Sequence, residues 1–235
     1  MSTSSPADNH ARHASDRQPA ISAAMEDYLK AIYRLQQGEE RVTTLALAGE
    51  LQLSGPSVTN MVKRLAELGL VEHNRYYGVR LTDAGTRVAL EVIRHHRLLE
   101  LYLAEAMGFD WDKVHEEAER LEHHVSSEFE SRMDELLGHP EYDPHGDPIP
   151  SARGTVPEAA WHPLADEPAG STVVLRRVSD RDSEHLRYLS EIGLVPGTQF
   201  EVIATEVEGD WRIRTESGEH VIPAALTAGM QVERA

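Results

Sequence analysis

The chain has 235 residues, of which 40% are hydrophobic, 27% are charged and none is cysteine. This length favours two or three compact units, and the apolar content is sufficient for hydrophobic cores. The absence of cysteine excludes disulfides, thiolate metal sites and a cysteine nucleophile, so any metal would need nitrogen and oxygen ligands. No apolar stretch approaches the length of a membrane span or a signal-peptide core, and we therefore expect a cytoplasmic protein with no membrane partner.

The net charge of −17 is distributed unevenly along the chain. An acidic chain is a poor general binder of nucleic acid, because affinity for phosphates is mainly electrostatic. Between residues 54 and 80, however, four basic residues outnumber two acidic ones, whereas between residues 91 and 137 Asp and Glu outnumber Lys and Arg 13 to 5. The first segment can approach DNA, and the second would repel it unless cations neutralise its carboxylates.

The hydrophobic pattern divides the chain into five segments. Residues 1–21 are rich in Ser, Ala and Asp and have no apolar period, which predicts a disordered tail. Residues 22–83 contain three short helical patterns followed by two short strands, and residues 84–150 are mainly helical. Residues 151–170 form a linker rich in Pro and acidic residues, and residues 171–235 contain short β-like runs typical of a small barrel.

Two helical regions are predicted in the segment of residues 84–150. A long helix begins at Thr82–Asp83, and another begins near Asp110. We expect the second to be one continuous helix, with the apolar stripe Val114, Ala118, Leu121, Val125, Phe129 and Leu136.

The order helix, helix, tight turn, helix and β-hairpin across residues 22–83 is that of a winged helix-turn-helix. We expect Leu45, Ala48 and Leu51 to pack the second helix against the core. The polar face of the third helix carries hydroxyls and an amide that can contact phosphates and base edges, with Lys and Arg adding charge. A three-helix bundle with a solvated polar face is the open alternative. The candidate DNA contacts are Ser54, Pro56, Ser57, Thr59, Asn60, Lys63 and Arg64 on this helix, with Arg75 and Tyr76 on the wing.

Four potential metal ligands follow Asp110, and counted from the first of them they lie at positions 0, 4, 7 and 8. On a helix these positions fall within an arc of roughly 100° that flanks the apolar stripe, so the side chains should be partly buried. Buried carboxylates are costly unless a cation lies among them, and carboxylate with imidazole suits Mn²⁺, Fe²⁺ or Zn²⁺. The four are His115, Glu119, Glu122 and His123, and His96 and Glu100 on the preceding helix can face the same site.

Two other interpretations of this pattern remain open. One is a solvated acidic helix that carries incidental histidines. The other is a hydrolytic metal site, although the sequence contains no His-Glu-x-x-His run or other catalytic signature. We therefore expect that the protein is not an enzyme.

Five segments, in order along the chain, resemble the diphtheria-toxin-repressor (DtxR) family of metal-dependent transcriptional regulators. The resemblance implies a winged helix-turn-helix, a helical dimerisation domain that carries metals, and an SH3-like (FeoA-like) C-terminal domain. It also implies a homodimer that binds double-stranded operator DNA of palindromic sequence. The segments are Asp27–Tyr33, Ser54–Val58, Arg94–Glu100, Lys113–His123 and Pro144–Pro150.

Carried over by position, the resemblance implies a primary metal site of Asp27, Glu119, Glu122 and His123. Iron-type members of the family have Met and Cys at the positions of Asp27 and Glu119, and two carboxylates in place of two sulfur ligands favour Mn²⁺. We therefore expect the manganese-type branch, with Fe²⁺ as the alternative and Zn²⁺, Co²⁺ or Cd²⁺ as surrogates. Lys30 stands where some manganese sensors have a further carboxylate, so the number of metals per site stays open.

The family's second, ancillary site would use His96, Glu100 and His115, completed from the C-terminal domain. Aligning the turn Val195–Gly197 with that of the family places Asp182 and His185 at the completing positions, with two surface residues as the alternative. The expected function is control of metal-homeostasis genes, such as uptake transporters, by the Mn²⁺-loaded protein. A winged-helix regulator that responds to a small organic ligand is the rival hypothesis.

Overall fold

The computed structural model describes residues 21–36, 40–206 and 209–235. Apart from residue 21, the predicted disordered tail lies outside the described residues. The described chain begins with the predicted winged helix-turn-helix, which is thereby confirmed. Its elements are α1 (Ala23–Gln36), α2 (Thr44–Glu50), α3 (Gly55–Glu67), β1 (Val71–Asn74) and β2 (Gly78–Leu81).

Side-chain caps set the starts of the helices in this domain. Thr43 Oγ1 accepts the amide of Ala46 at 3.1 Å before α2, and Ser54 Oγ accepts the amide of Ser57 at 3.4 Å before α3. Each cap pairs a backbone donor that a helix N-terminus otherwise leaves unsatisfied. The antiparallel pairing of β1 with β2 then makes the wing, as the sequence predicts.

The packing of α2 differs from the prediction at one position. Leu45 is 82% exposed, whereas Leu47 is fully buried in the core of the domain. A helix of seven residues has two turns, too few for its apolar spacing to distinguish one buried face from the next. Ala48 and Leu51, which were expected to pack, are partly buried against the core.

The second domain is helical, but its distal helix is not continuous. The segment after Asp110 divides because Ser126 Oγ accepts the amide of Phe129 at 3.3 Å and so starts a new helix after a bend. The expected single helix from Asp110 to Leu136 is therefore wrong. The elements are α4 (Asp83–Glu105), α5 (Val114–Leu121), a 3₁₀ turn (Glu122–His124) and α6 (Ser127–Leu136).

The side chains of the apolar stripe predicted for that helix lie in two different environments. Val114 and Ala118 are buried within the chain, whereas Leu121, Phe129 and Leu136 are 41%, 44% and 67% exposed.

Among the helices of the described chain, even α4 with 23 residues lacks the apolar character needed to cross a membrane.

The third domain is a six-stranded antiparallel sheet of the SH3-like type, in the order β3-β8-β4-β5-β6-β7. The pairing of the described strands leaves β3 and β7 as edges, so the expected barrel is an open sheet. The elements are β3 (His162–Pro163), β4 (Thr172–Arg177), α7 (Ser183–Glu191), β5 (Gln199–Thr205), β6 (Trp211–Thr215), β7 (Gly218–Ile222), α8 (Ala224–Thr227) and β8 (Gln231–Arg234).

Part of the predicted linker belongs to this sheet. His162–Pro163 pairs with β8, and the adjacent Leu164 is fully buried in the core of the domain. A strand of two residues that contains proline has no alternating pattern, which explains why the composition of residues 151–170 indicates a linker throughout.

The turn between Asp143 and Asp147 joins the helical domain to the sheet. Asp143 Oδ1 accepts the amides of His145 and Asp147, both at 2.9 Å, and the carbonyl of His145 accepts the amide of Val178 at 2.9 Å. Gly146 has φ +87°, and a Cβ built there would lie 1.8 Å from the carbonyl oxygen of Arg176. The contact therefore requires a residue without a side chain.

We expect Gly146→Ala to destabilise the protein more than Gly108→Ala. Both positions have positive φ, and the strain of about 1 kcal/mol for alanine is therefore common to them. Only position 146 adds a backbone collision, whereas nothing lies within 4 Å of a Cβ at position 108. Denaturant unfolding should show a further loss of about 1–3 kcal/mol for Gly146→Ala. Equal losses would mean that the turn moves away without cost.

Candidate metal centres and nucleic-acid interface

One group of potential ligands lies between the first two domains. Asp27 of α1 meets Glu122 and His123 of the 3₁₀ turn, and one ligand atom from each lies within 4.8 Å of the others. His123 Nε2 is 2.9 Å from Asp27 Oδ1 and 3.4 Å from Glu122 Oε1. We call these three residues the primary cluster. The structure thus brings together three of the four residues proposed for the primary metal site.

The orientation of His123 suits metal binding. Its Nδ1 lies 2.6 Å from Glu26 Oε2, to which it can donate its N–H, and its Nε2 then presents a lone pair to Asp27 and Glu122. Histidine ligands commonly donate the other ring N–H to a carboxylate, which fixes the tautomer. Sequence analysis did not single out Glu26. Its place beside Asp27 in the first turn of α1 was the available signal.

The fourth proposed ligand, Glu119, lies beside the primary cluster. Its Oε1 accepts a hydrogen bond from Lys30 Nζ at 2.7 Å and is 3.7 Å from His96 Nδ1. Lys30 Nζ also donates to Glu122 Oε1 at 2.5 Å. His96, Glu119 and Glu122 form a second group whose ligand atoms lie within 4.8 Å of one another. Glu122 is common to this group and to the primary cluster.

A further group, which we call the ancillary cluster, consists of His96, Glu100, His115 and Asp180. Glu100 Oε1 is 2.9 Å from His96 Nε2 and 3.1 Å from His115 Nδ1. Asp180 Oδ2, from the C-terminal domain, is also 3.1 Å from His115 Nδ1. All three ancillary residues predicted from the helical domain therefore meet, and a carboxylate of the third domain joins them.

The two residues expected to complete the ancillary site are not in this cluster. Asp182 caps α7, with its Oδ1 accepting the amides of Glu184 at 2.9 Å and His185 at 3.2 Å. The side chains of Asp182 and His185 are both 48% exposed. A helix starts at Ser183 and engages Asp182 as its N-cap, so this carboxylate is directed to backbone amides and not to the cluster. Asp180, two residues earlier, is the carboxylate that reaches His115.

The carboxylates of the ancillary cluster favour the protonated form of its two histidines when no metal is bound. Burial opposes the charged form of His96, but the attraction and hydrogen bonds of Glu100 and Glu122 outweigh it and raise its pKa to about 9. Burial likewise opposes charge on His115, yet Asp180 and Glu100 raise its pKa to about 10. Burial raises the pKa of the two carboxyl groups, but the charges and hydrogen bonds of the neighbouring histidines outweigh this effect. The pKa of Glu100 and that of Asp180 therefore lie below the usual range.

His145 supports Glu100 from the opposite side. Its Nε2 donates to the carbonyl of Trp111 at 2.9 Å, and its Nδ1 faces Glu100 Oε2 at 3.9 Å. Burial opposes charge on His145, but Glu100 and Asp143 raise its pKa to about 9. The turn that joins the helical domain to the sheet therefore also positions a carboxylate of the ancillary cluster.

The proposed DNA-contacting residues are nearly all exposed. Thr59 is partly buried and the other eight are exposed, including Tyr76 at 86% on the tip of the wing. Ser54 and Ser57 share a hydrogen bond at 2.9 Å, and Thr59 Oγ1 donates to the carbonyl of Gly55 at 2.9 Å. The nine proposed residues are Ser54, Pro56, Ser57, Thr59, Asn60, Lys63, Arg64, Arg75 and Tyr76.

We expect the metal-free protein to lose stability as the pH rises from about 6.5 to 10. A histidine whose pKa is raised by folding stabilises the protein fully below its unfolded pKa and loses that contribution as the pH rises through the folded value. Thermal unfolding in a chelator should show a loss of stability on the order of 2 kcal/mol. The loss is smaller than that of two independent histidines, because His96 and His115 share the carboxylate of Glu100.

The control for this prediction is a histidine outside the clusters. His115→Ala should reduce the pH dependence without abolishing it, since His96 and His145 remain, whereas His139→Ala, at a side chain 71% exposed, should leave it unchanged. Stability that stays constant or rises over this range would contradict the charge assignment.

We expect Asp180→Asn to weaken metal binding at the ancillary cluster by at least tenfold, because it removes an anionic donor beside His115. Asp182→Asn changes a capping residue that lies outside the cluster and should leave metal affinity within about twofold, since Asn also caps helices. Mn²⁺ titration followed by calorimetry compares the two variants. A greater loss in Asp182→Asn would restore the assignment made from sequence.

Three family models match successive parts of the chain. Residues 20–79 match the iron dependent repressor N-terminal DNA binding domain, and residues 82–151 match the iron dependent repressor metal binding and dimerisation domain. Residues 162–234 match the FeoA domain. The three matches follow the three structural units in order.

Among characterised relatives, the iron-dependent repressor IdeR of Mycobacterium tuberculosis H37Rv is 33% identical over 223 residues, covering 89% of this chain and 96% of the relative. The diphtheria toxin repressor of Corynebacterium diphtheriae is 41% identical over 127 residues, covering 53% of this chain and 55% of the relative.

Solved structures give the same result. A manganese-dependent transcriptional repressor in complex with manganese has a TM-score of 0.81 and 37% identity, covering 90% of this chain and 100% of that one. The manganese regulator SloR has a TM-score of 0.73 and 30% identity, covering 90% and 98%. Repressors of this kind are DNA-binding proteins and not enzymes. Together with the fold and the clusters, these similarities establish that the chain belongs to the DtxR family of metal-dependent, DNA-binding transcriptional repressors.

Proposed function

We propose that the protein is a Mn²⁺-activated repressor that binds a palindromic operator as a homodimer. One observation carries the proposal. Asp27 lies in the DNA-binding domain, and it shares the primary cluster with Glu122 and His123 of the helical domain. A cation held by all three would restrain the angle between the two domains. In a two-fold dimer that angle sets the spacing of the recognition helices along DNA.

The donor set of the clusters fits Mn²⁺. Carboxylate oxygens and imidazole nitrogens are hard or borderline donors, and the chain has no cysteine to favour a softer metal. Both metals occur among the relatives, since IdeR is named as iron-dependent and two structural neighbours as manganese regulators. Mn²⁺ is therefore our choice, and Fe²⁺ is the alternative. Zn²⁺ and Cd²⁺, bound in structures of ScaR, and Co²⁺ would act as surrogates.

Asp27 is the carboxylate of the primary cluster with the least support for its charge. Burial raises its pKa, although His123 and Lys30 oppose this. A divalent ion would add positive charge beside Asp27 and link it to Glu122 and His123. By linkage, DNA that selects the restrained state would raise the affinity for the ion by the same factor.

Exposed apolar side chains of the helical domain support the homodimer. Leu121, Phe129 and Leu136 of the distal helices are 41% to 67% exposed in the single chain. A second copy packed against these helices would cover them, as expected of an association surface. The exposed polar surface of α3 and the wing would then contact two half-sites of one operator.

The targets we propose are metal-homeostasis genes, such as those of uptake transporters, which a metal-loaded repressor would silence when the ion is abundant. Such a protein acts where the DNA is, in the cytoplasm.

The rival hypothesis, a winged-helix regulator that responds to a small organic ligand, has little support. The interdomain cavity of about 490 Å³ is lined by the apolar side chains of Ile93, Val156 and Trp161 and by Arg97 and Arg177, both of which donate to Asp147. A purely apolar ligand would leave those charged groups without a partner from the ligand.

The test is metal-dependent binding to an operator selected from a random duplex pool. We expect Mn²⁺ to raise operator affinity at least 100-fold, with chelation reversing the effect and Fe²⁺ acting more weakly. Glu122→Gln should abolish the Mn²⁺ response, because it removes a buried anionic donor. Glu116→Gln, at a side chain 73% exposed on α5, is the matched control and should respond normally.

Fluorescence anisotropy at constant ionic strength measures each affinity, because protein–DNA binding depends strongly on salt. Equal operator affinity with and without metal would refute the proposed switch. A stronger response to Fe²⁺ than to Mn²⁺ would leave the switch intact and reverse the metal assignment.

A further inference from the structure

Lys30 is buried where two of the proposed metal ligands meet. Its side chain is 6% exposed, and its Nζ donates to Glu119 Oε1 at 2.7 Å and to Glu122 Oε1 at 2.5 Å. Lysines usually extend the ammonium group into solvent along an apolar stem. Complete burial of that group requires carboxylate partners of the kind found here.

The ammonium lies against a group of ligands that would otherwise suit a metal. His96, Glu119 and Glu122 bring one ligand atom each within 4.8 Å of one another, and Lys30 binds two of the three. Asp27 and Lys30 are three residues apart on α1, so both face the helical domain. The same helix therefore contributes an anion to the primary cluster and a cation to the group beside it.

We propose that the Lys30 ammonium is a fixed internal cation that takes the place of a second metal ion, so that the primary cluster binds a single divalent ion. This inference rests on the proposed metal binding by Asp27, Glu122 and His123. A divalent ion among His96, Glu119 and Glu122 would lie against a like charge that cannot diffuse away. The covalent cation neutralises Glu119 and Glu122 at every metal concentration.

The same contact presets Glu122 for the single ion. Lys30 binds its Oε1, and His96 Nδ1 lies 2.6 Å from its Oε2, so both oxygens are oriented before a metal arrives. Each carboxylate oxygen has a further lone pair, and Oε1 is the one that lies 3.4 Å from His123 Nε2. Lys30 thus acts as a positioning residue as well as a counter-charge.

The experiment counts Mn²⁺ ions in the full-length protein without DNA. A His115→Ala background silences the ancillary cluster, so that bound metal reports on the remaining ligands. Equilibrium dialysis gives the stoichiometry, and electron paramagnetic resonance distinguishes an isolated ion from an exchange-coupled pair. We expect one isolated Mn²⁺ per chain at saturation in this background.

Lys30→Glu in the same background should raise the stoichiometry to two and produce the coupled signal, because it replaces the internal cation with a fourth donor. Lys30→Arg keeps the charge and should retain one ion. Lys113→Glu makes the same charge change at a side chain 62% exposed, and it should also retain one ion.

A coupled pair in the Lys30-containing protein would overturn the inference, because it would mean that the ammonium yields to a second metal. One ion in a folded Lys30→Glu variant would also overturn it. If Lys30→Glu does not fold, as circular dichroism would reveal, the measurement on the Lys30-containing protein decides alone. Absence of any bound Mn²⁺ there would instead contradict the proposed function.

Discussion

The site depends on the burial of two carboxylates, Glu100 and Glu122, neither of which has any exposed surface. An ionised carboxylate removed from water is strongly destabilising unless positive charge and hydrogen bonds surround it. Around Glu122 that charge comes from Lys30 and His96, and around Glu100 it comes from His96, His115 and His145. His96 serves both carboxylates, one through each ring nitrogen, so a change at one cluster alters a hydrogen bond of the other. The two clusters are therefore one electrostatic unit.

This arrangement explains how a site buried mainly in the helical domain can affect the domains on both sides. Lys30 and Asp27 approach it from α1, and Asp180 approaches it from the segment after β4. Arg181, next to Asp180, donates to Glu50 of α2 at 2.8 Å, so the C-terminal domain also contacts the DNA-binding domain directly. Because each domain supplies groups whose energy depends on the charge at the centre, adding positive charge there would favour one arrangement of all three. Metal-linked DNA binding requires a coupling of this kind.

The helices of the DNA-binding domain, the long helix α4, the wing and most of the clustered residues could be predicted because they depend on local signals. Caps such as Thr43 and Ser54, and residues four apart such as His96 and Glu100, are visible in one turn of helix. The failures involve contacts between distant segments or very short elements. Asp180 could not be distinguished from Asp182, because only the start of α7 decides which carboxylate caps a helix and which reaches His115. Glu26 was missed because its role depends on which ring nitrogen of His123 faces it. His145 was missed because its role depends on which oxygen of Glu100 the other histidines leave without a partner.

The lysine at position 30 is interpreted differently from the sequence and from the structure. From the sequence, a lysine in place of a carboxylate removes a ligand and leaves the metal count open. In the structure it also places an ammonium group against Glu119 and Glu122. A bound ion stabilises its site by an amount that grows only with the logarithm of its concentration relative to its dissociation constant, and it adds nothing when the ion is absent. A covalent ammonium stabilises the same carboxylates unconditionally. A centre with one fixed and one exchangeable cation would therefore keep Glu122 in place without metal, while the primary cluster alone responds to the metal concentration.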